Sequence, residues 1–278
     1  MSHHLHFASS SRRLDRRTHA RLLAGLLFGL TTAGSAISSA SAATGGARPT
    51  DTALWNSAVQ IARASRWIFP GRAVIEETAT RDKTTARTRV TARLENEGGG
   101  EPALAVTEVR LGDQDLTHDR AEDVAATLTP LLETLYRPDH PLALHSAEEA
   151  RPVSEKEIDG FRCRGFATRN ELDGVAVEMT TWIDVVRGFA RRIDFHAVNL
   201  PIRKDGAVLR ALVGTAEYTL DAENRWLLVR HREHSDLRAP VVLSNVEIRA
   251  DRTITCDGHW EYHGPRRDES ATASFTTP

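Results

Sequence analysis

Cysteine occurs only twice in the 278 residues, at Cys163 and Cys256, and aromatic residues make up 6% of the chain. So few cysteines exclude a disulfide-dense scaffold, and the absence of any C-x-x-C pair excludes a zinc-ribbon array. Neither sign of charge dominates: 36 basic residues stand against 38 acidic ones. The chain therefore lacks the basic balance of a nucleic-acid binder, and no nucleic-acid partner is expected. Also missing are a G-x-S-x-G elbow, a phosphate loop, a dinucleotide fingerprint, an H-E-x-x-H helix and any internal repeat, so no familiar catalytic or cofactor motif is legible and no cofactor is expected. Long apolar runs are missing as well. The segment Leu22 to Leu30 falls well short of the roughly 20 residues a membrane-spanning helix needs. What is present, 40% hydrophobic and 27% charged residues, is ordinary for a globular protein.

The first 42 residues differ from the rest. Arg12, Arg13, Arg16, Arg17 and Arg21 precede the apolar run, and small residues then lead to Ala40-Ser41-Ala42. A basic region, an apolar core and an A-x-A pattern predict a cleavable export signal over residues 1–42. Asp15 sits where a twin-arginine signal favours an apolar residue, which points to the general export route. No cysteine follows the apolar core, so the chain is not expected to be a lipoprotein itself. Removing this segment leaves 31 basic and 37 acidic residues, a net charge of −6. The expected location is the periplasm of a Gram-negative bacterium.

Residues 43–50 read as a flexible leader. From Asp51 to Trp67 the period is helical: Leu54, Ala58 and Ile61 share a face, with Asp51 available as a cap. After Pro70-Gly71 the period becomes two. Ala86, Thr88, Val90, Ala92 and Leu94 alternate with Arg87, Arg89, Thr91 and Arg93, the pattern of a half-buried antiparallel strand. A second helical stretch spans about 120–136, with Pro130 expected to kink or split it. A long charged connection, 137–160, follows. Strands then succeed one another with short turns over 161–169, 175–184, 189–198, 207–220, 225–234, 241–249 and 253–263, and a tail over 264–278 reads as disordered. The expected fold class is α+β and mostly antiparallel β. About ten strands should curl into a curved, incomplete barrel covered by two helical segments, in a single domain over 51–263.

An exported chain folds where disulfides persist. Joining Cys163 to Cys256 would close a loop of about 93 residues and contribute about 4 kcal/mol on the chain-entropy view; two buried thiols are the alternative.

Several local patterns carry a likeness to a known family. Asp159-Gly160-Phe161-Arg162-Cys163 is followed by a strand ending Thr181-Trp182-Ile183-Asp184, a turn at Arg187-Gly188, and Arg191-Arg192-Ile193-Asp194-Phe195. Later, Asn224-Arg225-Trp226 stands at a turn within Tyr218 to Val229. In order and local pattern, residues 51–263 resemble the exported lipoprotein carriers of Gram-negative bacteria (LolA-like) and their outer-membrane lipoprotein-sorting relatives. The resemblance implies a half-barrel whose apolar interior takes up a lipid or lipoprotein acyl chain beneath helical lids, with an envelope protein as a further partner. It also implies a lid-facing arginine, for which Arg72, Arg87 and Arg89 are the nearby candidates.

Strand parity indicates which residues would line such an interior. Val175, Val177, Met179 and Ile183 share one face of their strand; Ile193 and Phe195 share one face of the next; Val90, Leu94, Val109 and Leu111 contribute from the early strands. These ten are the candidate ligand-binding residues. A different reading rests on His259, Glu261 and His263, which would project from one face of a strand and could hold a divalent metal for a hydrolase; His231 and Glu233 share a face on an earlier strand. A non-catalytic envelope scaffold is the third reading. The lack of a nucleophile or metal array favours binding over catalysis.

Overall fold

The computed structural model describes residues 50–262 apart from 82, 96–102, 137–149, 173–174, 199, 205–206 and 242–243. The expected export signal, all of the leader but Thr50, most of the 137–160 connection, the tail and His263 lie outside the described residues.

Helix α1 (Asp51–Ala64) begins where the sequence predicts, but its cap is Thr50, whose Oγ1 accepts a hydrogen bond from the Ala53 N–H at 3.2 Å. Asp51, the expected cap, is instead the first helical residue, placed where a carboxylate complements the helix dipole. It also receives two hydrogen bonds from Arg164, at 3.1 and 3.0 Å. Leu54, Trp55, Ala58 and Val59 form the buried face. The Trp55 ring rests on Phe166 with centroids 5.3 Å apart. At the far end the Ser65 hydroxyl donates to the Ile61 carbonyl and accepts from the Trp226 N–H at 2.7 Å. The helix is therefore tied to the sheet at its start, middle and end.

The strands follow in order: β1 (Ile68–Phe69), β2 (Arg72–Arg81), β3 (Thr84–Glu95), β4 (Ala103–Leu111) and β5 (Gln114–Asp115). Helix α2 (Thr117–Tyr136) is next, then β6 (Arg151–Ile158), β7 (Phe161–Leu172), β8 (Val175–Asp184), β9 (Ala190–Val198) and β10 (Ile202–Lys204). The chain continues through β11 (Ala207–Leu220), β12 (Trp226–Val241), β13 (Ser244–Asp257) and β14 (Trp260–Glu261). Twelve strands make one antiparallel sheet ordered β5-β4-β3-β2-β13-β12-β11-β9-β8-β7-β6, with β10 beside β11; β1 and β14 pair separately. The sheet curves but does not close into a barrel, as expected. Nearly every neighbour is also a neighbour in sequence. The exceptions are β11 beside β9, with only the short β10 between them in sequence, and β2 beside β13, which brings the early and late strands together near the centre.

Four details depart from the sequence reading. Helix α2 is one element rather than two pieces split at Pro130, and it starts at Thr117. Its Leu128 and Val124 pack against the core, which holds the helix in place despite the missing proline donor. Part of the charged connection is a strand: β6 is an edge strand with Arg151 through Glu155 exposed, so no apolar alternation marks it. The predicted turn at Asp251 is mid-strand, because β13 runs unbroken to Asp257 and pairs Asp251 with His234 of β12. Likewise β12 extends past Pro240, which pairs with Asn245 near the end of the hairpin.

The cysteines are not joined. Cys163 lies in a small cluster with Ile158 and Trp182, whereas Cys256 belongs to the main core. Their strands, β7 and β13, are separated in the sheet by β8, β9, β11 and β12. Burial, and then the nearby Asp184 carboxylate, push the Cys163 thiol up to about 11, so it stays protonated and a poor nucleophile. The predicted disulfide is replaced by two buried thiols.

The motif around Asp184 has a structural explanation. Asp184 is buried; its Oδ1 accepts from the Val186 and Arg187 N–H groups at 2.9 and 3.1 Å, and its Oδ2 accepts from Arg191 Nε at 2.9 Å. Gly188 closes the turn with φ of +71°, where a side chain would be strained. Trp182 Nε1 donates to Asp194 at 2.9 Å across the β8–β9 hairpin. The Trp-Ile-Asp, Gly and Arg-Ile-Asp residues are thus turn and hairpin fasteners.

Candidate functional site

The register fixes what faces the concave side. One row across the sheet reads Thr181, Ile193, Ala216, His231, Ile254, Ile75, Val90 and Val109. The next reads Met179, Phe195, Gly214, Glu233, Arg252, Glu77, Thr88 and Leu111. A third carries Val177, Ala197, Leu212, Ser235, Ala250 and Ala79. Directly opposed residues of an antiparallel pair share a face, so these rows form one continuous surface beneath α1 and α2.

Among the predicted lining residues, Val90, Val177, Met179, Ile183, Ile193 and Phe195 are buried together in the main core. Val109 is buried beside Val90, Leu94 is partly buried against the core, and Leu111 is half-buried opposite Thr88. Val175 begins β8, but its side chain lies outside the described residues. Strand parity thus places the described residues among them on the face that the helices cover.

The sequence puts His231 and Glu233 on one face of a strand but does not place them, with Arg252 and Glu77, in the middle of that surface. His231 is 2% exposed and Glu233 6%. Arg252 donates through Nε and Nη2 to Glu77 Oε2 at 3.0 and 2.7 Å, and its Nη1 stands 3.9 Å from Glu233 Oε1. His231 Nε2 is 3.7 Å from Glu233 Oε2, an ion-pair distance too long for a hydrogen bond. Both ring nitrogens of His231 and Glu233 Oε2 are buried with no hydrogen-bond partner. Phe195 stacks on the His231 ring at 5.5 Å. Burial alone would raise Glu233; the adjoining His231 ring and the Arg252 guanidinium outweigh it and hold the carboxyl below its usual range. Four ionisable side chains thus interrupt an apolar face. Their alternation is visible in the sequence, yet only the pairing of β12 with β13 and of β13 with β2 brings them together.

The arginine candidates fall elsewhere. Arg72, Arg87 and Arg89 are exposed on the outer face, where Arg72 pairs with Asp257 at 3.2 Å. Arg252 lies within the second row of the concave face, and Arg164, opposite Ile183, is on that face beneath α1, where it bonds Asp51. The metal reading also changes. His259 precedes β14 rather than sharing a strand with its partners, and its Nε2 is 2.9 Å from the Leu228 carbonyl. Glu261 is exposed, and His263 lies outside the described residues. Arg230 and Arg232 sit on the outer face, each 3.2 Å from Glu217.

Gly214 also escaped the sequence reading. A Cβ there would lie 2.2 Å from Phe195 Cζ and 2.5 Å from the Arg232 carbonyl. Its bare Cα makes room for the Phe195 ring to lie across the sheet. Gly214→Ala is expected to cost about 1–3 kcal/mol through overpacking, read as a lowered urea midpoint. An unchanged midpoint would show that Phe195 moves aside freely.

No family model matches the chain, and no curated protein matches it. Among solved structures, a lipovitellin described by its lipid–protein interactions aligns with 72% of this chain at 10% identity and a TM-score of 0.34. This chain spans about a quarter (26%) of that protein. A DUF1329 family protein from Desulfovibrio piger aligns with 80% of this chain and 99% of its own length, at 12% identity and a TM-score of 0.29. MucB with MucA from Pseudomonas aeruginosa aligns at 10% identity and a TM-score of 0.21, covering 74% of this chain and 99% of that one. At these scores neither ligand nor partner transfers to this chain. Among the described residues no helix is long and apolar enough to cross a membrane.

Proposed function

We propose that this is an exported, non-catalytic binding protein that holds a lipid, a lipoprotein acyl chain or another apolar ligand against the concave face of its open sheet. The role fits the periplasm of a Gram-negative bacterium, in the sorting of outer-membrane lipoproteins. The carrying observation is the continuous concave surface of Val177, Met179, Ile193, Phe195, Ile75 and Val90 beneath two helices, in a sheet that stays open between β5 and β6. Each methylene buried there contributes about 0.8 kcal/mol, so a partly buried acyl chain gives useful affinity. The two helices differ in their attachment. Helix α1 is fastened by Arg164, Phe166 and Trp226, while α2 meets the sheet chiefly at β4.

The test is native mass measurement on the exported protein, followed by solvent extraction and titration with a hydrophobic fluorescent probe. The expected result is excess mass that extracts as lipid, and probe binding weakened at least tenfold in a folded Val177→Glu variant. A carboxylate forced into that face must be desolvated on ligand binding, which accounts for the size of the loss. A bare mass together with no probe uptake overturns the reading and directs attention to a protein partner.

A further inference from the structure

The cluster at the centre of the concave face is not needed to hold an apolar chain, and burial makes it costly. Charges in such a place are retained when paired, and every polar atom there should find a partner. Arg252 is the only guanidinium among the four side chains, and Glu77 takes its two short hydrogen bonds. Glu233 receives only loose approaches, from Arg252 at 3.9 Å and from His231 at 3.7 Å, and its Oε2 has no hydrogen-bond partner. With His231 neutral, two carboxylates and one guanidinium leave the group with a formal charge of −1. A cation arriving with the ligand would meet the deficit.

The geometry points to a head-group site: we propose that Glu233 and His231 receive the primary ammonium of an amphiphile whose acyl chain lies along Phe195, Met179 and Ile193. An ammonium has three donors and one positive charge. It would satisfy Glu233 Oε2, could donate to one unpartnered nitrogen of neutral His231, and would bring the group to zero charge. A carboxylate head would add a second negative charge beside Glu233. The positions agree with this placement. Phe195 is two strands from Glu233 in the same row and lies flat on His231, so the apolar path ends at the polar group. On the other side the cluster reaches outward, since the side chains of Arg252 and Glu77 are 14% and 25% exposed. That gradient of exposure runs from solvent toward the buried carboxylate.

This inference rests on the proposed acyl-chain site, and the experiment separates the two. Dodecylammonium, dodecanol and dodecanoate are titrated against the full chain by displacement of a fluorescent apolar probe at neutral pH. The expected order is dodecylammonium about tenfold or more tighter than dodecanol, with dodecanoate weakest. In Glu233→Gln, the ratio of ammonium to alcohol affinity should fall about tenfold toward one. Dodecanol and dodecanoate binding as well as the ammonium in the wild-type chain overturns the head-group site and leaves the apolar site standing, whether or not the variant folds. An unchanged ratio in a folded Glu233→Gln variant does the same. Failure of all three amphiphiles to bind overturns both readings.

Discussion

Replacing Arg252 with methionine is expected to cost about 3 kcal/mol or more at neutral pH, and less in acid. Removing one partner of a buried charge group leaves the other uncompensated, typically a loss of 3–5 kcal/mol. Here the stranded groups are Glu77, which loses both of its short hydrogen bonds, and Glu233, which is 6% exposed. The pH dependence has a definite sign. In the wild-type protein, burial pushes the Glu233 carboxyl up, while His231 and Arg252 together hold it below its unfolded value. A carboxyl held low contributes stability above the unfolded pKa of about 4.3, and loses it as the pH falls through the lower folded value. Without Arg252 the desolvation is less opposed, so protonation relieves the variant while it removes an advantage from the parent. The gap between them should therefore be widest near pH 7 and narrow toward about pH 4, as read from urea denaturation at both values. Adding Glu77→Gln and Glu233→Gln to Arg252→Met should recover most of the loss, because no unpaired charge is left. A deficit that is the same at both pH values, and is not recovered in the triple variant, would mean that the arginine acts by packing alone.

Trp55→Ala should cost about 3–5 kcal/mol, the range for truncating a large buried aromatic side chain. Trp55 is 1% exposed and is the largest side chain by which α1 meets the sheet. The polar fastenings at Asp51 and Ser65 remain in the variant, so the helix should stay docked over a cavity instead of detaching. Far-ultraviolet circular dichroism should then change little while the denaturation midpoint drops. Trp55→Phe should lose less than half as much, since a ring still meets Phe166. A loss below about 1 kcal/mol for the alanine variant would show that the polar ends hold the helix by themselves.

Most of the longer elements and the inward faces of their strands were legible in the residue pattern. Two-residue alternation from Val90 to Leu94, and from Val177 to Ile183, marks the face the helices cover, although Thr91 and Trp182 on the other face are buried as well. Helix α1 was legible because Leu54, Trp55, Ala58 and Val59 recur at helical spacing. The edge strand β6 was not, because residues exposed on both faces carry no alternation. The turn expected at Asp251 failed for a related reason: a polar residue on the solvated face of a long strand looks locally like a loop. The disulfide failed because an oxidising compartment and a count of two cysteines say nothing of the four strands that separate β7 from β13. The tertiary structure alone decided the central cluster. Glu77 lies far along the chain from His231, Glu233 and Arg252, and each looks like a solvated charge beside its sequence neighbours. They meet because β13 pairs with β12 on one side and with β2 on the other, a contact between distant segments that no local pattern encodes.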